Sequence, residues 1–458
     1  MRQADIKEIY AAFEECGCRL TTDSRAVKGG ELFVALKGEN FDGNAYARIA
    51  LEQGAAYALV NSDSVAAASG DWRVLPVENT LHALWALARM HRERARVNGE
   101  PLKVLALTGT NGKTTTKELI RSVLATKYRL TVTEGNLNNN IGVPLTLLRI
   151  TPETELAVVE MGASHPGDIR ELVDIALPDY GLITNVGKAH ILGFGSLEGV
   201  KATKGEMYDY IKEHGGEIFC NEDNALLREM VAERGMKAYG YGLGYQGAKV
   251  LPMNAEYPFL RIGLVDGTVI NTRLVGAYNA DNVMAALAVG AKFGVAQEAA
   301  VKAIESYEPA NKRSQMVRTE TNVLIVDAYN ANPTSMAAAL DNFEAVEAAD
   351  KVALLGMMGE LGGEEAVEHS ILLERLTKMP LSRLYLVGAA FATAVQKMFG
   401  RSCEVPENVW LGGRSMEIGC FPTSDELAAW IAAHPVKGSC ILIKGSRSTK
   451  MEKCLSFL

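Results

Sequence analysis

Lys103-Val-Leu-Ala-Leu-Thr-Gly-Thr-Asn-Gly-Lys-Thr-Thr-Thr-Lys117 joins three local signals in one run. Residues 104–107 form a short apolar run suited to a buried strand, and Gly109 and Gly112 permit a tight turn. Beyond Thr114, the residues Leu119, Ile120, Val123 and Leu124 recur at helical spacing. A strand, a glycine loop and a helix in that order aim backbone N–H groups and a helix N-terminus at one place, where donors and dipole together favour a phosphate. Lys113 supplies a counter-charge and the Thr114 hydroxyl a ligand for Mg²⁺, so the loop is expected to hold ATP or GTP. The generic phosphate-loop pattern asks for a glycine where Leu107 stands; the variant here is Gly-Thr-Asn-Gly-Lys-Thr.

A chain of 458 residues is long enough for about three domains, each with its own core. The net charge is −8, and Lys and Arg are dispersed rather than gathered into a tract. Neutralising a nucleic-acid backbone or docking on anionic lipid needs such a tract, so neither partner is expected. The N-terminus lacks the basic and apolar regions of a signal peptide, and no apolar run approaches the ~18 residues of a membrane span, so a cytosolic protein is expected. Seven cysteines, of which only Cys16 and Cys18 lie close together, indicate neither a disulfide framework nor a zinc site.

Changes of pattern divide the chain into units 1–100, 101–312 and 313–458. The first reads as a small α/β unit, with strands at 31–36, 56–60 and 73–77 and helices at 6–13, 45–52 and 81–96. The polar stretch Asn98-Gly-Glu-Pro-Leu102 closes it. In the second, strands at 104–107, 129–133, 156–161, 181–186 and 217–221 alternate with helical or loop segments, which predicts a mainly parallel sheet with helices on both faces. The third unit, with strands at 323–327, 352–355, 384–387 and 440–443, is expected to be a further nucleotide-fold-like α/β unit.

Ligands of such sheets bind beyond the carboxyl ends of the strands. Glu160 ends the run Leu156-Ala-Val-Val-Glu160, and Asn185 ends the next, followed by His190. A carboxylate and an imidazole beside a phosphate loop could hold or orient Mg²⁺. In the third unit, Asp327-Ala-Tyr-Asn-Ala-Asn-Pro-Thr-Ser335 and Lys444-Gly-Ser-Arg-Ser448 follow buried-looking strands and are expected to face a cleft, although Asn332 before Pro333 also reads as a helix cap. Lys204, in Val200-Lys-Ala-Thr-Lys-Gly-Glu-Met207, reads by itself as a surface lysine of a helix.

These motifs occur in one order. Gly109-Thr-Asn-Gly-Lys-Thr-Thr115, Asn136-Leu-Asn-Asn-Asn-Ile-Gly-Val-Pro144, Val159-Glu-Met-Gly-Ala163, Asn185-Val-Gly-Lys-Ala-His190, Lys204-Gly-Glu206 and Asn279-Ala-Asp-Asn282 resemble the Mur ligases over almost the whole chain. These are ATP-dependent amide ligases of peptidoglycan precursor synthesis. Thr22-Asp-Ser-Arg25 with Glu31-Leu-Phe-Val-Ala-Leu36 is similar to the N-terminal UDP-binding domain of some members. Asp327-Ala-Tyr-Asn-Ala-Asn-Pro-Thr-Ser-Met336 resembles the branch that adds a terminal dipeptide.

The resemblance implies an α/β three-domain architecture: an N-terminal UDP-precursor-binding domain, a central P-loop-type ATPase domain and a C-terminal Rossmann-like domain. It implies ATP and Mg²⁺, the ions being two, as cofactors, UDP-MurNAc-tripeptide and D-Ala-D-Ala as substrates, an acyl-phosphate intermediate and a monomer. Gly109, Thr110, Asn111, Gly112, Lys113, Thr114 and Thr115 would cradle the phosphates. Glu160, His190 and Lys204, with Thr114, would serve the metal, Lys204 as a carbamate. Asn279 and Asn282 would flank adenine, Arg313 would reach the γ-phosphate, and Asp327 would face the ribose or phosphate. Thr22, Asp23, Ser24, Arg25, Asn138, Asn139, Tyr329, Asn330 and Asn332 would bind substrate. The chain departs from the family pattern at Met357, where an acid is common, at Asn44, where histidine is frequent, and at Lys312-Arg313-Ser314. A sister amide ligase and a nucleotide-binding regulator without turnover remain alternatives on these residues.

Overall fold

The computed structural model describes residues 3–252, 259–309 and 315–458. The first unit carries a four-stranded parallel sheet of β1 (Leu20–Thr21), β2 (Leu32–Val34), β3 (Tyr57–Asn61) and β4 (Val74–Val77), in that spatial order. Its last helix, α1 (Thr80–Arg94), starts at an Asn79 cap that accepts the Leu81 and His82 N–H groups. Leu84, Leu87 and Ala88 of α1 are fully buried in one cluster with Val143, Leu147, Ile169 and Leu172. Each such leucine removed from water contributes roughly 1.5–3 kcal/mol. The Arg92 guanidinium, 2.9 Å from Asp179, closes the same seam.

The second unit is built on six parallel strands: β5 (Lys103–Thr108), β6 (Leu130–Val132), β7 (Leu156–Glu160), β8 (Tyr180–Ile183), β9 (Glu217–Asn221) and β10 (Ala238–Tyr241), in the spatial order β6-β7-β5-β8-β9-β10. Helix α2 (Lys113–Leu124) follows β5, and its buried Leu119, Ile120, Val123 and Leu124 pack against Val283, Met284 and Ala286 of a later helix. Between them in the chain, α3 (Leu197–Glu213) covers the opposite face through Met207, Tyr208 and Ile211, and the later helix is α4 (Ala280–Lys292). The alternation of strand and helix thus yields the doubly covered parallel sheet expected. A three-stranded antiparallel sheet at Lys249–Leu251, Arg261–Gly263 and Val269–Asn271 is an addition that the spacing did not reveal.

The third unit has a seven-stranded sheet of β11 (Gln315–Arg318), β12 (Val323–Asp327), β13 (Lys351–Gly356), β14 (Arg383–Val387), β15 (Glu407–Leu411), β16 (Arg414–Phe421) and β17 (Cys440–Lys444). Its spatial order is β11-β12-β17-β13-β14-β16-β15. The inner pairs are parallel, whereas β11 and β15 are antiparallel edges. Helices α5 (Pro333–Ala345) and α6 (Glu365–Lys378) cover one face with Met336, Leu340, Phe343, Leu373 and Leu376. No helix of the described residues is long and apolar enough to cross a membrane.

Candidate functional site

The carboxyl ends of β5, β7 and β12 and the loop after β17 open on one cleft of about 930 Å³. Thr110 to Thr114, Asn136, Asn138 to Asn140, Glu160 and His190 line it from the second unit, and Tyr329, Asn330, Asn332, Met357, Glu360 and Ser446 to Ser448 from the third. Parallel pairing accounts for the arrangement. The β5–β7 register sets Glu160 opposite Leu107, and the β5–β8 register sets Ile183 opposite Thr108, so both neighbours flank the glycine loop.

That loop is stitched to the segment after β8. Thr110 N–H donates to the Asn185 carbonyl at 2.9 Å, Asn111 N–H to Asn185 Oδ1 at 2.9 Å, and the Thr184 hydroxyl to the Asn111 carbonyl at 2.7 Å. Gly109 has φ 151° and packs so tightly that a Cβ there would meet Thr184 Oγ1 at 1.8 Å. Gly112, at φ 78°, is the N-cap of α2 and brings no side chain, so the first-turn N–H groups keep their donor capacity at the cleft. Lys113 curls over the loop, its Nζ donating to the carbonyls of Gly109 at 2.7 Å and Thr110 at 3.2 Å.

The Thr114 hydroxyl lies 3.1 and 3.3 Å from the two Glu160 carboxylate oxygens, and Asn138 Nδ2 donates to Glu160 Oε1 at 2.8 Å. Glu160 is 1% exposed. A hydroxyl and a carboxylate side by side, next to phosphate-binding amides, are a hard oxygen donor set that fits Mg²⁺. Among the described residues no group of three or more His, Cys, Asp or Glu side chains gathers at one point, so such an ion would draw its remaining ligands from phosphate oxygens and water.

Two further expected metal residues stand apart from that pair. His190, at φ 52°, turns Nδ1 to the Glu360 carboxylate of the third unit at 2.5 Å. Lys204 sits on α3 as expected but not on the surface: it is 3% exposed. Burial and, secondarily, the charge of Lys113 hold its amine well below the usual lysine range. The α3 face that carries Lys204 also carries Val200, Met207, Tyr208 and Ile211 into the core, which is why a reading of the residue type alone put it outside.

The other expected residues divide. Asn332 both caps α5, accepting Ser335 N–H at 2.8 Å, and donates through Nδ2 to Asn111 Oδ1 at 2.9 Å, so the cap and the cleft reading hold together. Tyr329 lies under the Arg447 guanidinium, and Asn330 and Asn139 also face the cleft. Thr115 is buried behind the loop. Asn279 and Asn282 are buried under α2, bonded to each other at 2.9 Å, with Asn282 accepting the Thr116 hydroxyl at 2.9 Å; neither lines the cleft. Asp327 is ion-paired with the buried Lys444 at 2.5 Å and lies behind the lining. Thr22 to Arg25 also lie away from the cleft, Asp23 and Arg25 bonding to each other in an exposed turn after β1. Arg313 lies outside the described residues. Asn44 is buried and bridges Asp42 Oδ1 and the Asn61 N–H.

Three contributors to the site carry no motif of their own. Lys117 is fully buried beside Glu160; its place on the apolar face of α2, in line with Ile120 and Leu124, was the available signal. Glu360 meets His190 only because two units close on each other. His369 of α6 accepts Met358 N–H at 2.9 Å and bonds through Nδ1 to the Glu365 carbonyl at 2.7 Å, bracing the loop that carries Glu360.

Three family models match the chain: Mur ligase family, catalytic domain, over residues 19–92; Mur ligase middle domain over 107–290; and Mur ligase, glutamate ligase domain, over 312–447. The UDP-N-acetylmuramoyl-tripeptide--D-alanyl-D-alanine ligase of Bacillus subtilis is 34% identical over 446 residues, covering 96% of this chain and 92% of the relative. The crystal structure of MurF from Acinetobacter baumannii superposes with a TM-score of 0.81 at 30% identity, covering 96% and 92% of the two chains. That of the Thermotoga maritima MurF ligase in complex with ADP gives 0.80 at 26% identity, with 96% of each covered.

Proposed function

The chain belongs to the Mur ligase family, and from that premise and the cleft we infer that it is the ATP-dependent ligase joining D-Ala-D-Ala to UDP-MurNAc-tripeptide. The observation that carries the reading is the meeting, in one cleft, of a phosphate loop with the Thr114–Glu160 pair on one wall and Tyr329, Asn330 and Asn332 on the other. Similarity to a ligase of that substrate over nearly the whole length supports the choice within the family. The same matches support a division into three units near residues 100 and 312.

An amide cannot form from a free carboxylate without activation. The γ-phosphoryl of ATP passes to the terminal carboxylate of the tripeptide, giving an acyl phosphate and ADP. The amine of D-Ala-D-Ala then attacks the acyl carbon and inorganic phosphate leaves. Transfer of this kind depends on positioning and on neutralising charge. Lys113 and the N–H groups of the 109–114 loop hold the β- and γ-phosphates. Thr114 and Glu160 would hold Mg²⁺, and His190 with a carbamylated Lys204 a second ion; these ions supply charge neutralisation on the phosphate oxygens. Carbamylation requires a neutral amine, and burial lowers the Lys204 pKa in that direction. Asn279 and Asn282 back the adenine side, Arg313 and Asp327 serve the nucleotide from the third unit, and Tyr329, Asn330 and Asn332 bound the dipeptide. Thr22 to Arg25 receive the uridine end, with Asn138 and Asn139 nearer the tripeptide. The enzyme works as a cytoplasmic monomer.

Phosphate release from Mg·ATP tests the reading, with UDP-MurNAc-tripeptide and D-Ala-D-Ala supplied singly and together. Release only with both supports the assignment. Release with a single amino acid in place of the dipeptide moves the chain to a sister ligase.

A further inference from the structure

Lys117 is the only lysine among the described residues whose ammonium stands against Glu160, and its environment is unusual. The side chain is fully buried one turn into α2. Its Nζ donates to the Thr133 carbonyl at 2.7 Å and the Gly135 carbonyl at 3.3 Å, and lies 3.7 Å from Glu160 Oε2 and 3.1 Å from Glu118 Oε1. Thr133, in turn, accepts the Glu160 N–H at 3.0 Å through its hydroxyl. Gly135 opens the segment that carries Asn136 and Asn138 into the cleft, and Asn138 holds the other Glu160 oxygen.

A buried ammonium survives only where its charge and its donors are met. Here the partners that meet them come from three places: the phosphate-loop helix, the end of β7, and the asparagine segment after β6. We propose that Lys117 is a positioning residue that holds Glu160 and the 133–138 segment in register with α2. One side chain thereby aligns the Thr114–Glu160 oxygen pair with the asparagine wall of the cleft. Lys117 touches neither nucleotide nor precursor in this scheme; it acts through Glu160. The inference rests on the reading of the cleft as a nucleotide site.

The test uses the full chain and the variants Lys117→Met, which keeps length without charge, Lys117→Gln, Lys117→Arg, Glu160→Gln and Lys117→Met/Glu160→Gln. ATP affinity is measured by calorimetry in EDTA and across a magnesium titration. Outer-shell partners of metal ligands commonly contribute about 10–100-fold to metal affinity. In Lys117→Met, ATP affinity in EDTA should stay within about twofold of the parent while the magnesium midpoint rises by about that factor, and adding Lys117→Met to Glu160→Gln should change little further. Equal loss with and without magnesium, an unshifted midpoint, or full additivity in the double variant overturns the proposal. If Lys117→Met does not fold, Lys117→Gln carries the test, and an unchanged magnesium midpoint there overturns it equally, whereas Lys117→Arg, which keeps the charge, should lie nearer the parent. Failure of the parent protein to bind ATP would instead overturn the nucleotide reading itself.

Discussion

His190 Nδ1 and Glu360 Oε2 meet at 2.5 Å across the cleft, one from the loop after β8 and the other from the loop after β13. Both residues take left-handed backbone, at φ 52° and 60°, a conformation that costs on the order of 1 kcal/mol each outside glycine. Around them Lys188 reaches Glu364 at 3.2 Å and Glu368 at 3.0 Å, and Leu192 packs on Gly362. The second and third units are thus joined at the mouth of the cleft by ion pairs. The bond to His190 holds the Glu360 carboxyl below its usual range.

A histidine that serves a metal is oriented by what holds its other ring nitrogen, and Glu360 holds Nδ1. Glu360→Ala should therefore raise the magnesium requirement by about 10–100-fold. Because both partners are partly exposed, the melting temperature should move by only about 2 °C or less. Rates across a magnesium titration, with a thermal melt alongside, check both statements.

Lys113→Ala should lower turnover by at least about 10²–10³-fold, the size typical of losing one preorganised group at developing charge. Affinity for the UDP-precursor should remain nearly unchanged. Calorimetry of the precursor with the variant checks this, and a large loss would mean that the two sites are not separate.

Asn332 has two separable roles. Asn332→Ala should cost about 0.5–2 kcal/mol through the lost α5 cap. Asn332→Ser keeps a capping oxygen but cannot span to Asn111. It should restore stability yet still raise the KM for ATP or for the dipeptide. Denaturation midpoints and initial rates of the two variants separate the roles.

His369 donates from one ring nitrogen and accepts at the other, so the folded ring is neutral, and burial pushes its pKa below the ordinary 6.5. The unfolded chain then binds the extra proton first. The contribution of His369 to stability is complete above pH 6.5 and is lost as the pH falls from there through the depressed folded value. His369→Gln should flatten the stability difference between about pH 5 and about pH 7.5 relative to the parent, as read by chemical denaturation at each pH.

Lys204 shows the same sign of linkage as His369. Its amine is held well below 10.5 by burial, so the unfolded chain binds the proton more tightly and stability rises with pH up to about that value. Lys204→Met should stabilise the protein at neutral pH while abolishing turnover. Denaturation and activity of the same preparation test it, and ¹³C-bicarbonate labelling of the parent would reveal a carbamate.

Much of the fold was legible because the strands are short apolar runs bounded by breakers. The runs at 104–107, 156–161 and 217–221 needed only periodicity and punctuation, and the observed strands Lys103–Thr108, Leu156–Glu160 and Glu217–Asn221 keep close to those ends. Two of the edge strands were legible, at Val74–Val77 and Leu130–Val132, but others were not. Lys249–Leu251 is too short to display an alternation of its own, and Glu407–Leu411 mixes exposed and buried positions, since an edge strand is chosen by its neighbour's free hydrogen bonds rather than by its own side chains. In the cleft, residues in the loop and at the ends of buried strands could be named from their chain positions. Glu360 could not, as nothing near it in sequence signals a partner as distant along the chain as His190.

The order of residues alone determined the phosphate loop, the parallel alternation and the family, because these depend on chemistry within a few neighbouring residues: glycine at positive φ, lysine beside threonine, an apolar strand before a helix. Only the tertiary structure decided the electrostatic state of the site. Whether Lys204 is a solvated cation or a buried amine, whether Lys117 is a surface charge or a strut beneath Glu160, and whether Asn332 only caps or also spans depends on the distance of each from water and from residues far along the chain. Those distances are set by how three units pack.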